Sequence, residues 1–551
     1  MQKRHREKIV LEVTRRVLER ALSRAGADTT TSLDHLVHEV LYYETLRLEK
    51  DLRSVTRDDD LEWLQEARRR FATGSQADKK RLLEEILQRH TQEVAGHFDP
   101  KTYTFSTKLV PPFLGLLLKP LSPLGILKSR GRLPDVSQNL VLEGPLEHLR
   151  RLTQRGTLIF TPTHSSNLDS IVMGFAAYKA GLPPMTYGAG LNLFQHRFLG
   201  FFMNRLGAYK VDQLKKHSLY KEVLKEYAVA TLEEGYPNLF FPGGTRSRSG
   251  AVEKKLKLGL LGCGIQAYTN NLTNSRPRPN IYVVPCTINY QLVLEAETLI
   301  EDHLKEAGKS RYIIVDDEFS QLERVYAFFK NLLSLDARIH ICFAPPRDPF
   351  GNRVDEEGRS LDGGGRTVDL SRYLHRDGKV HRDPARDREY TKLLGDKVVE
   401  DFHAETMVYS THVVALALFR ELRRANPDPD FYRFLRETGY DVSVPMVRAY
   451  EAVRATLDQV RWLRDRGGLR LGPLVAQGRP EEVVAEALKL FGGYHSKPAL
   501  RRRGDRLFAQ DANLLYYYRN RLWGYGLPRR HEPSLAKEAT RAESQEVGGS
   551  R

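Results

Sequence analysis

The chain has 551 residues, a length that allows several domains and a large buried core. Its 86 lysines and arginines exceed its 70 acidic residues, and the resulting net charge of +16 indicates an anionic partner. The 3 cysteines show no C-x-x-C spacing, which excludes a disulfide framework and favours a reducing compartment. The N-terminal stretch lacks the apolar core of a signal peptide, and no run of about 20 apolar residues predicts a membrane span.

The first region along the chain is predicted to be helical. Residues 1–98 contain no proline, and their apolar residues recur at helical spacing among charged ones. Residues 100–134 then contain no acidic side chain, and the charge-free run 109–118 is flanked by cations. This run is too short to span a bilayer but suits the headgroup boundary. We predict a basic, apolar membrane-contact segment over residues 99–137; the alternative is a proline-broken segment packed on the protein core.

Residues 138–346 have the pattern of an α/β domain. Short runs rich in valine, isoleucine and phenylalanine alternate with helical stretches. Strands are predicted over residues 157–161, 238–241, 281–290 and 338–344, and helices over residues 169–179 and 219–234. This alternation predicts a mostly parallel or mixed sheet flanked by helices.

The rest of the chain is predicted to be a loop followed by helices. Residues 347–389 are rich in glycine, aspartate and arginine, which predicts a linker or loop. Residues 390–528 are predicted to be helical, with the charge-free stretch 406–419 as a buried helix. Residues 529–551 are polar without periodicity, which predicts a disordered tail. The predicted fold class is therefore α/β: a core domain with a mostly parallel or mixed sheet flanked by helices, between N- and C-terminal all-α regions.

His164 and Asp169 form the first candidate for chemistry, five residues apart after the predicted strand 157–161. They meet only if His164 lies in the turn after the strand and Asp169 in the first turn of the next helix. Ser166 predicts a capping box that starts this helix. An aspartate that accepts one imidazole N–H leaves the other ring nitrogen to take a proton. The pair is a candidate general base; the alternative is a capping aspartate beside a loop histidine.

The second candidate is F-P-G-G-T-R-S-R-S-G, residues 241–250, after the predicted strand 238–241. Its glycines allow a tight turn that exposes backbone N–H groups, and an arginine fork grips phosphate with two hydrogen bonds. The pattern predicts an anion cradle; the alternative is an ordinary turn with solvated arginines. A base with its orienting acid, together with an anion cradle, is what transfer of an acyl group onto a phosphorylated alcohol requires.

Together these segments resemble the glycerolipid acyltransferase superfamily. H-S-S-N-L-D matches its H-x4-D block, and F-P-G-G-T-R-S is similar to its F-P-E-G-T-R-S block. Residues 190–212 look like the second block and residues 283–290 like the fourth, with Pro285 as its proline. The continuation R-S-R-S-G, and L-L-Y-Y-Y-R-N-R-L near residues 516–522, are similar to the large glycerol-3-phosphate acyltransferase branch.

The resemblance implies a reaction and its residues. His164, oriented by Asp169, would remove a proton from the sn-1 hydroxyl of glycerol 3-phosphate as it attacks the thioester of acyl-CoA or acyl carrier protein. The thiolate leaves, with no covalent acyl-enzyme, metal or cofactor. Arg246 and Ser247 would hold the acceptor phosphate. The other substrate-binding residues expected from the resemblance are Arg205, Lys210, Gly244, Thr245, Arg248 and Pro285.

The basic charge suits the partners that this reaction would need. These are the phosphorylated acceptor, glycerol 3-phosphate or lysophosphatidate, the acyl-CoA or acyl carrier protein donor, and an anionic membrane surface. Nucleic-acid binding would rest on charge alone, without a recognition signature. The expected location is the cytoplasmic face of a membrane, with peripheral or monotopic attachment.

Two departures from the family pattern leave the acceptor open. The third block usually has a glutamate where this chain has Gly243, and the second block often ends in arginine where this chain has Asp212 and Gln213. Lysophosphatidate and dihydroxyacetone phosphate are therefore alternative acceptors. An alternative of a different class is a non-catalytic lipid-binding relative, and the intact pair of His164 and Asp169 argues against it.

Overall fold

The computed structural model describes residues 3–27, 33–50, 57–104, 106, 139–190, 203, 205–212, 214–307, 338–426, 434–435, 442–493, 495 and 497–527. Most of the predicted membrane-contact segment 99–137 lies outside the described residues, as do most of the second block after Gly190, Gln213 and the tail 529–551.

The described N-terminal region consists of the helices α1 (Lys3–Ala27), α2 (Leu33–Lys50), α3 (Arg57–Thr73) and α4 (Gln76–Val94). Helix α4 begins at a capping box, in which the Ser75 and Asp78 side chains each accept the other residue's backbone N–H. The apolar stripes of these helices are buried in one cluster that also contains Tyr209, Leu219 and Val223. The helical periodicity thus reflects packing against the next region of the chain.

A sheet of seven strands forms the centre of the described chain. The strands are β1 (Leu140–Glu143), β2 (Gly156–Pro162), β3 (Thr186–Gly190), β4 (Ala208–Val211), β5 (Asn238–Leu239), β6 (Asn280–Tyr290) and β7 (Ile339–Phe343). They lie in the order β1-β7-β6-β2-β5-β3-β4. All neighbours are parallel except β6 and β7, which are antiparallel. The prediction of a mostly parallel or mixed sheet is confirmed.

Helices cover both faces of this sheet. They are α5 (Leu146–Thr153), α6 (Asp169–Lys179), α7 (Ser218–Glu233), α8 (Leu258–Leu261), α9 (Cys263–Thr273) and α10 (Ala296–Ala307). Along β2, Leu158 and Phe160 belong to one apolar cluster and Ile159 to another. Successive side chains of a strand point to opposite faces, so this division shows that both faces are buried.

The carboxyl ends of β2, β5 and β6 lie side by side. β2 pairs in parallel with β6 along its whole length and with β5 at Ile159 and Phe160. The chain therefore leaves β2 after Pro162, β5 after Leu239 and β6 after Tyr290 on the same side of the sheet, at the carboxyl ends of these strands. Open α/β sheets bind ligands outside the carboxyl ends of their strands.

The segment 347–389, predicted as a linker or loop, contains short strands. They are β8 (Arg353–Val354), β9 (Ser360–Leu361), β10 (Thr367–Val368), β11 (His375–Arg376) and β12 (Lys379–Val380). Phe350, Val354 and Leu374 are buried, so the segment packs on the core instead of crossing open solvent. Only isolated apolar residues make these contacts. Because glycines and charged residues surround them in the sequence, they formed no pattern that predicted packing.

The C-terminal region is mainly helical but also contains strands that the sequence analysis did not predict. Its elements are α11 (Pro384–Glu405), β13 (Met407–Val408), α12 (Ser410–Ala425), β14 (Ser443–Pro445), α13 (Met446–Asp465), β15 (Arg470–Leu471), α14 (Pro473–Gln477), α15 (Pro480–Gly493), β16 (Leu500–Arg503), β17 (Arg506–Ala509) and α16 (Ala512–Arg519). β16 and β17 form a hairpin whose turn contains Gly504 at φ +59°.

The charge-free stretch 406–419 lies inside the protein as predicted, although its helix begins only at Ser410. Met407 and Val408 instead pair with β15 as a short parallel strand. Within the described residues, the structure contains no helix that is long and apolar enough to cross a membrane.

A buried ion pair joins the end of the sheet to α11. Arg347 Nε lies 2.5 Å from Asp401 Oδ2, and Arg347 Nη2 lies 2.8 Å from Oδ1. Arg353 Nη2 donates to the same carboxylate at 3.1 Å. Both Arg347 and Asp401 are almost fully buried. Removing one partner of such a pair leaves an uncompensated buried charge.

We expect Asp401→Asn to lower the free energy of unfolding by roughly 3 kcal/mol, because it leaves Arg347 buried without its counterion. The control is Glu400→Gln, the same chemical change one residue earlier, where an exposed carboxylate meets Lys397. Surface pairs contribute little, so this control should shift stability by at most about 0.5 kcal/mol. Urea denaturation of the two variants measures both changes, and equal shifts would contradict the assignment.

Candidate active site

His164 lies in the turn between β2 and α6, and its ring is held by Asp169. The imidazole Nδ1 lies 2.8 Å from Asp169 Oδ2. Asp169 is fully buried, whereas the His164 side chain is 18% exposed. Because an ionised carboxylate only accepts hydrogen bonds, Nδ1 carries the proton and Nε2 is left with its lone pair. The arrangement orients one ring nitrogen as a proton acceptor.

The Asp169 carboxylate accepts hydrogen bonds from four groups. Besides the His164 ring, Oδ2 accepts the backbone N–H groups of Ser165 at 2.6 Å and Ser166 at 2.9 Å. The Tyr290 hydroxyl, at the end of β6, donates to Oδ1 at 2.6 Å. Burial and the neighbouring carboxylate raise the pKa of Tyr290 well above its usual value, so this hydroxyl stays protonated and donates.

The predicted capping box at Ser166 does not form. The Asp169 carboxylate does accept the Ser166 N–H, but the Ser166 hydroxyl accepts the N–H of Leu168 instead of that of Asp169. The helix begins at Asp169 as predicted, with Leu168 at the N-cap position and no side-chain cap. The Asp169 N–H donates to the Ser166 carbonyl at 3.1 Å instead of to its hydroxyl.

Four consecutive backbone N–H groups of this turn donate to carboxylates. His164 N–H donates to Glu253 Oε1 at 2.9 Å, and Ser165 and Ser166 donate to Asp169. Asn167 N–H donates to Glu295 Oε1 at 2.9 Å. The three carboxylates lie far apart in sequence and meet at this turn. They fix the backbone that carries His164, because a buried N–H without an acceptor is costly.

The third-block segment, residues 241–250, packs against the same turn. The Phe241 ring stacks on the His164 ring, with centroids 4.0 Å apart and planes at 20°. Ser247 N–H donates to the His164 carbonyl at 2.7 Å, and the Ser247 hydroxyl donates to the Ala251 carbonyl at 2.7 Å. Gly244 has φ +77°, and Lys257 covers it so closely that a Cβ there would lie 2.4 Å from Lys257 Cδ.

Glu253 fills the space beside Gly243. A Cβ built on Gly243 would lie 3.2 Å from Glu253 Cγ and 3.4 Å from its Oε1. The carboxylate next to this position is thus supplied from ten residues further along the chain. Burial raises the pKa of the Glu253 carboxyl, and the His164 N–H and the Arg521 charge partly offset the effect.

Arg246 lies beside Glu295 in the described site. Its Nη1 is 3.6 Å from Glu295 Oε1, and its side chain is 28% exposed while Glu295 is fully buried. Burial raises the pKa of Glu295 to about 7, although the Asn167 N–H and the Arg246 charge favour its ionised form. Arg246 is therefore near a carboxyl group that changes charge close to neutral pH.

The other predicted substrate-binding residues lie in several places. Thr245 is exposed and Arg248 is half-buried, both within the third-block segment. Pro285 lies inside β6, paired with Thr161, and is buried in the sheet. Lys210 is in β4, three strands away from β2 and so about 14 Å away, and Arg205 lies just before that strand. Both cations lie close enough to His97 to lower its pKa.

Sequence reasoning missed several residues that the fold brings to this site. They are Ser165, Phe241, Glu253, Tyr290, Glu295 and Arg521. Phe241 and Tyr290 each directly follow or end a predicted strand, and this position was a usable signal. Arg521 lies in the L-L-Y-Y-Y-R-N-R-L segment, but no role was predicted for it. Glu253 and Glu295 carried no such signal, because an isolated charge in a helical or loop pattern is typical of a solvated residue.

One group of three potential metal ligands occurs among the described residues, away from His164. Ligand atoms of Glu44, His90 and His217 lie within 4.8 Å of one another. Lys215 Nζ is 3.3 Å from His90 Nδ1 and 3.7 Å from Glu44 Oε1. His217 Nδ1 accepts the Tyr220 N–H, so its Nε2 carries a proton and faces Glu44. An ammonium and an N–H directed at the carboxylate fit a hydrogen-bonded charge cluster better than a cation.

The fold and this site are those of the glycerolipid acyltransferase class. A histidine oriented by a buried aspartate follows the central parallel strand, and an arginine-containing turn packs on it. The family model described as acyltransferase matches residues 146–289, which include His164, Asp169, Arg246 and Glu253. Residues 146–289 thus match the acyltransferase family, and the resemblance of the motifs to the glycerolipid acyltransferase superfamily is confirmed.

Curated relatives narrow the class to one branch. Proteins named glycerol-3-phosphate acyltransferase match from Pseudomonas fluorescens Pf-5 (27% identity, 53% of this chain and 31% of the relative) and Ectopseudomonas mendocina (26%, 55% and 33%). A third, from Histophilus somni, is 32% identical over 30% of this chain and 20% of its own length. The chain thus spans about a third or less of the length of these relatives. The predicted glycerol-3-phosphate acyltransferase branch is confirmed.

We expect the stability of Glu295→Gln to diverge from that of the wild type as pH rises. The Glu295 pKa is raised from 4.5 to about 7 in the folded state, so between these values the folded protein binds the extra proton. The free energy of unfolding of the wild type then falls with rising pH over this window, whereas that of Glu295→Gln lacks this contribution, because glutamine does not ionise. The difference in free energy of unfolding should grow by roughly 3 kcal/mol and level off above pH 7.

Urea denaturation of both proteins between pH 5 and pH 8 measures this divergence. Glu301→Gln is the matched control, because Glu301 is exposed on helix α10, which begins directly after Glu295; it should show a constant difference. A flat difference for Glu295→Gln would show that its carboxyl does not titrate near neutral pH.

Proposed function

We propose that the chain is an O-acyltransferase of phospholipid biosynthesis. It moves a fatty acyl group from acyl-CoA or acyl carrier protein to the sn-1 hydroxyl of glycerol 3-phosphate. The observation that carries the proposal is the 2.8 Å contact between His164 Nδ1 and Asp169, which leaves Nε2 as a base at the ligand-binding edge of the sheet. The names of the curated relatives support the choice of acceptor.

His164 acts as a general base. Nε2 takes the proton of the acceptor hydroxyl as the hydroxyl oxygen attacks the thioester carbonyl carbon. The tetrahedral adduct collapses when the C–S bond breaks, and the imidazolium returns its proton to the leaving thiolate. Asp169 keeps the ring in the required tautomer and stabilises the imidazolium. No covalent acyl-enzyme is needed, since the acceptor oxygen itself attacks.

Arg246 binds the acceptor phosphate. Its guanidinium lies on the turn that packs against His164 and is partly exposed, so it is available to an anion. When a phosphate enters, it competes with Glu295 for this arginine. The raised pKa of Glu295 weakens that competition, because the neutral carboxyl no longer attracts Arg246. The Ser247 backbone N–H and hydroxyl are engaged within the turn, so Ser247 contributes by holding its shape.

Attachment to the cytoplasmic face of a membrane belongs to the same proposal. The product of the reaction is amphipathic, and the net charge of +16 favours an anionic surface. The segment proposed to contact the bilayer is residues 99–137, through its cations and its apolar run 109–118.

The direct test measures acyl transfer by the purified chain with vesicles. Long-chain acyl-CoA or acyl carrier protein is offered with glycerol 3-phosphate, lysophosphatidate or dihydroxyacetone phosphate, and products are identified by mass. We expect lysophosphatidate from glycerol 3-phosphate, reduced roughly 1,000-fold in His164→Ala because the base is lost. His375→Ala, an exposed histidine, is the control and should retain wild-type turnover.

Other outcomes of this assay select the alternatives. Product from lysophosphatidate or dihydroxyacetone phosphate alone would keep the mechanism and change the acceptor. Absence of product from folded, vesicle-bound protein would contradict the proposal and favour a lipid-binding relative without turnover. Equal activity of His164→Ala and the wild type would remove His164 from the chemistry.

Glu253 should affect turnover through the position of His164. Glu253→Ala removes the acceptor of the His164 N–H, and we expect kcat to fall about 10- to 100-fold with little change in KM for the acyl donor. Glu253→Gln keeps an oxygen acceptor at the same place and should restore most of the rate. Steady-state kinetics of both variants test this. If Gln and Ala are equally impaired, the Glu253 charge matters and its role as acceptor is wrong.

A further inference from the structure

Arg521 reaches the catalytic turn from the far end of the chain. It lies in the short 3-10 helix Asn520–Leu522 that follows α16. Its Nη2 lies 3.4 Å from the hydroxyl of Ser165, the residue after His164, and the arginine is only 5% exposed. The C-terminal region thus places the Arg521 guanidinium in the interior of the protein, beside His164.

The approach of this segment is fixed by backbone contacts to the third-block turn. Gly250 has φ +78°, and a Cβ there would lie 2.5 Å from the Tyr517 carbonyl oxygen. The Asn520 side chain donates to the Ser249 carbonyl at 2.9 Å. Any larger residue at 250 would push α16 away, so the close approach that places Arg521 is built into both segments.

Arg521 has no acidic counterion within ion-pair distance among the described residues. Its side chain hydrogen-bonds a neutral hydroxyl, and no ion pair among the described residues includes it. Arginine stays protonated in proteins, and a buried cation without an anion is strongly disfavoured. The neighbouring Arg519 differs, because Phe419, Tyr516 and Trp523 surround its guanidinium at 4.3, 4.7 and 5.0 Å.

The surroundings of Arg521 are positively charged. Lys254 lies against the loop after it, since a Cβ on Gly524 would be 3.5 Å from Lys254 Cε and 3.6 Å from His403 Cε1. The charges of Lys254 and Arg521 add to burial in lowering the pKa of His403. Glu253 is the nearby carboxyl group, and burial raises its pKa, which weakens it as a counterion. The region therefore attracts an anion from outside the chain.

We propose that Arg521, together with the Ser165 hydroxyl, forms a binding subsite for a phosphate monoester of a substrate beside His164. The proposal rests on the proposed acyltransferase function and deepens it. A guanidinium binds a phosphate dianion through two parallel hydrogen bonds, and the serine hydroxyl adds a third donor. Arg246 has Glu295 at 3.6 Å, whereas Arg521 lacks a carboxylate partner among the described residues. An incoming phosphate therefore competes with a carboxylate at Arg246 but not at Arg521.

Two substrate groups have this chemistry: the phosphate of a glycerol 3-phosphate-type acceptor and the 3′-phosphate of CoA. Both are monoesters, and both belong to substrates of the proposed reaction. The subsite is defined by the group that it binds, and kinetics with matched substrates identify which molecule supplies it.

Binding is measured by calorimetric titration with inorganic phosphate and with glycerol 3-phosphate, with glycerol as the uncharged probe. We expect Arg521→Met to weaken phosphate and glycerol 3-phosphate binding about 10- to 100-fold and to leave glycerol unchanged. Arg521→Lys should recover part of the affinity, because the charge returns without the fork. Arg519→Lys, the same change two residues earlier, is the control and should bind phosphate as the wild type does.

Thermal stability separates this role from a structural one. Replacing an unpaired buried charge by an apolar side chain of similar volume is often neutral or stabilising, so unliganded Arg521→Met should melt at or above the wild-type temperature. It should also lose the stabilisation that added phosphate gives the wild type. A lower melting temperature with unchanged phosphate affinity would overturn the proposal, as would a wild-type protein that binds no phosphate.

Kinetics identify the source of the phosphate. A rise in KM for glycerol 3-phosphate in Arg521→Met supports the acceptor, and a rise for acyl-CoA but not for acyl-dephospho-CoA supports the donor. No change in either KM would overturn the proposal. Because titration does not require turnover, phosphate binding that depends on Arg521 in a protein without acyl transfer would contradict the proposed function and leave this subsite standing.

Discussion

The structure of the turn that carries His164 depends on one arrangement, in which carboxylates accept four successive backbone N–H groups. Asp169 takes two of them, and Glu253 and Glu295 take one each. Amides at the start of a helix carry the positive end of its dipole, so this turn is a natural place for anions. Glu253 follows the third-block segment and Glu295 directly precedes α10, so two of the four N–H groups have acceptors from later parts of the chain.

This arrangement explains why charged groups are tolerated in the interior. Each buried carboxyl has backbone donors on one side and a basic residue on another: His164 beside Asp169, and Arg246 beside Glu295. The hydrogen bonds favour the charged forms, and burial opposes them. The balance differs from residue to residue. Glu295 is raised to a pKa of about 7, so it is the carboxyl whose charge responds to pH in the neutral range.

The sequence was sufficient for those parts of the fold that repeat a regular pattern. The strands at residues 157–161 and 281–290 agree with β2 and β6, and the helix 169–179 agrees with α6 residue for residue. It was insufficient for the choice among local hydrogen bonds at Ser166, whose hydroxyl accepts the N–H of Leu168 and not that of Asp169. The strands β16 and β17 were missed because three successive exposed arginines, residues 501–503, hide any alternation of polar and apolar residues in β16.

The residues of the candidate site also divide into those that local sequence motifs indicate and those that only the fold brings there. His164, Asp169 and Arg246 lie in short motifs whose spacing reflects local geometry, so a single sequence can indicate them. Glu295 and Arg521 act only through contacts across the fold, and both lie beyond the segment 146–289 that matches the acyltransferase family.

The C-terminal region therefore takes part in building the site. Gly250 and Tyr517 touch backbone to backbone, and Asn520 bonds the same turn, so the end of α16 is as closely fitted to the third-block segment as that segment is to His164. The segment that matches the acyltransferase family contains both His164 and Asp169. Its turn, however, also donates the Asn167 N–H to Glu295 and places the Ser165 hydroxyl beside Arg521, and both of these residues come from later in the chain. The candidate active site of this chain is consequently larger than the segment that carries its motifs.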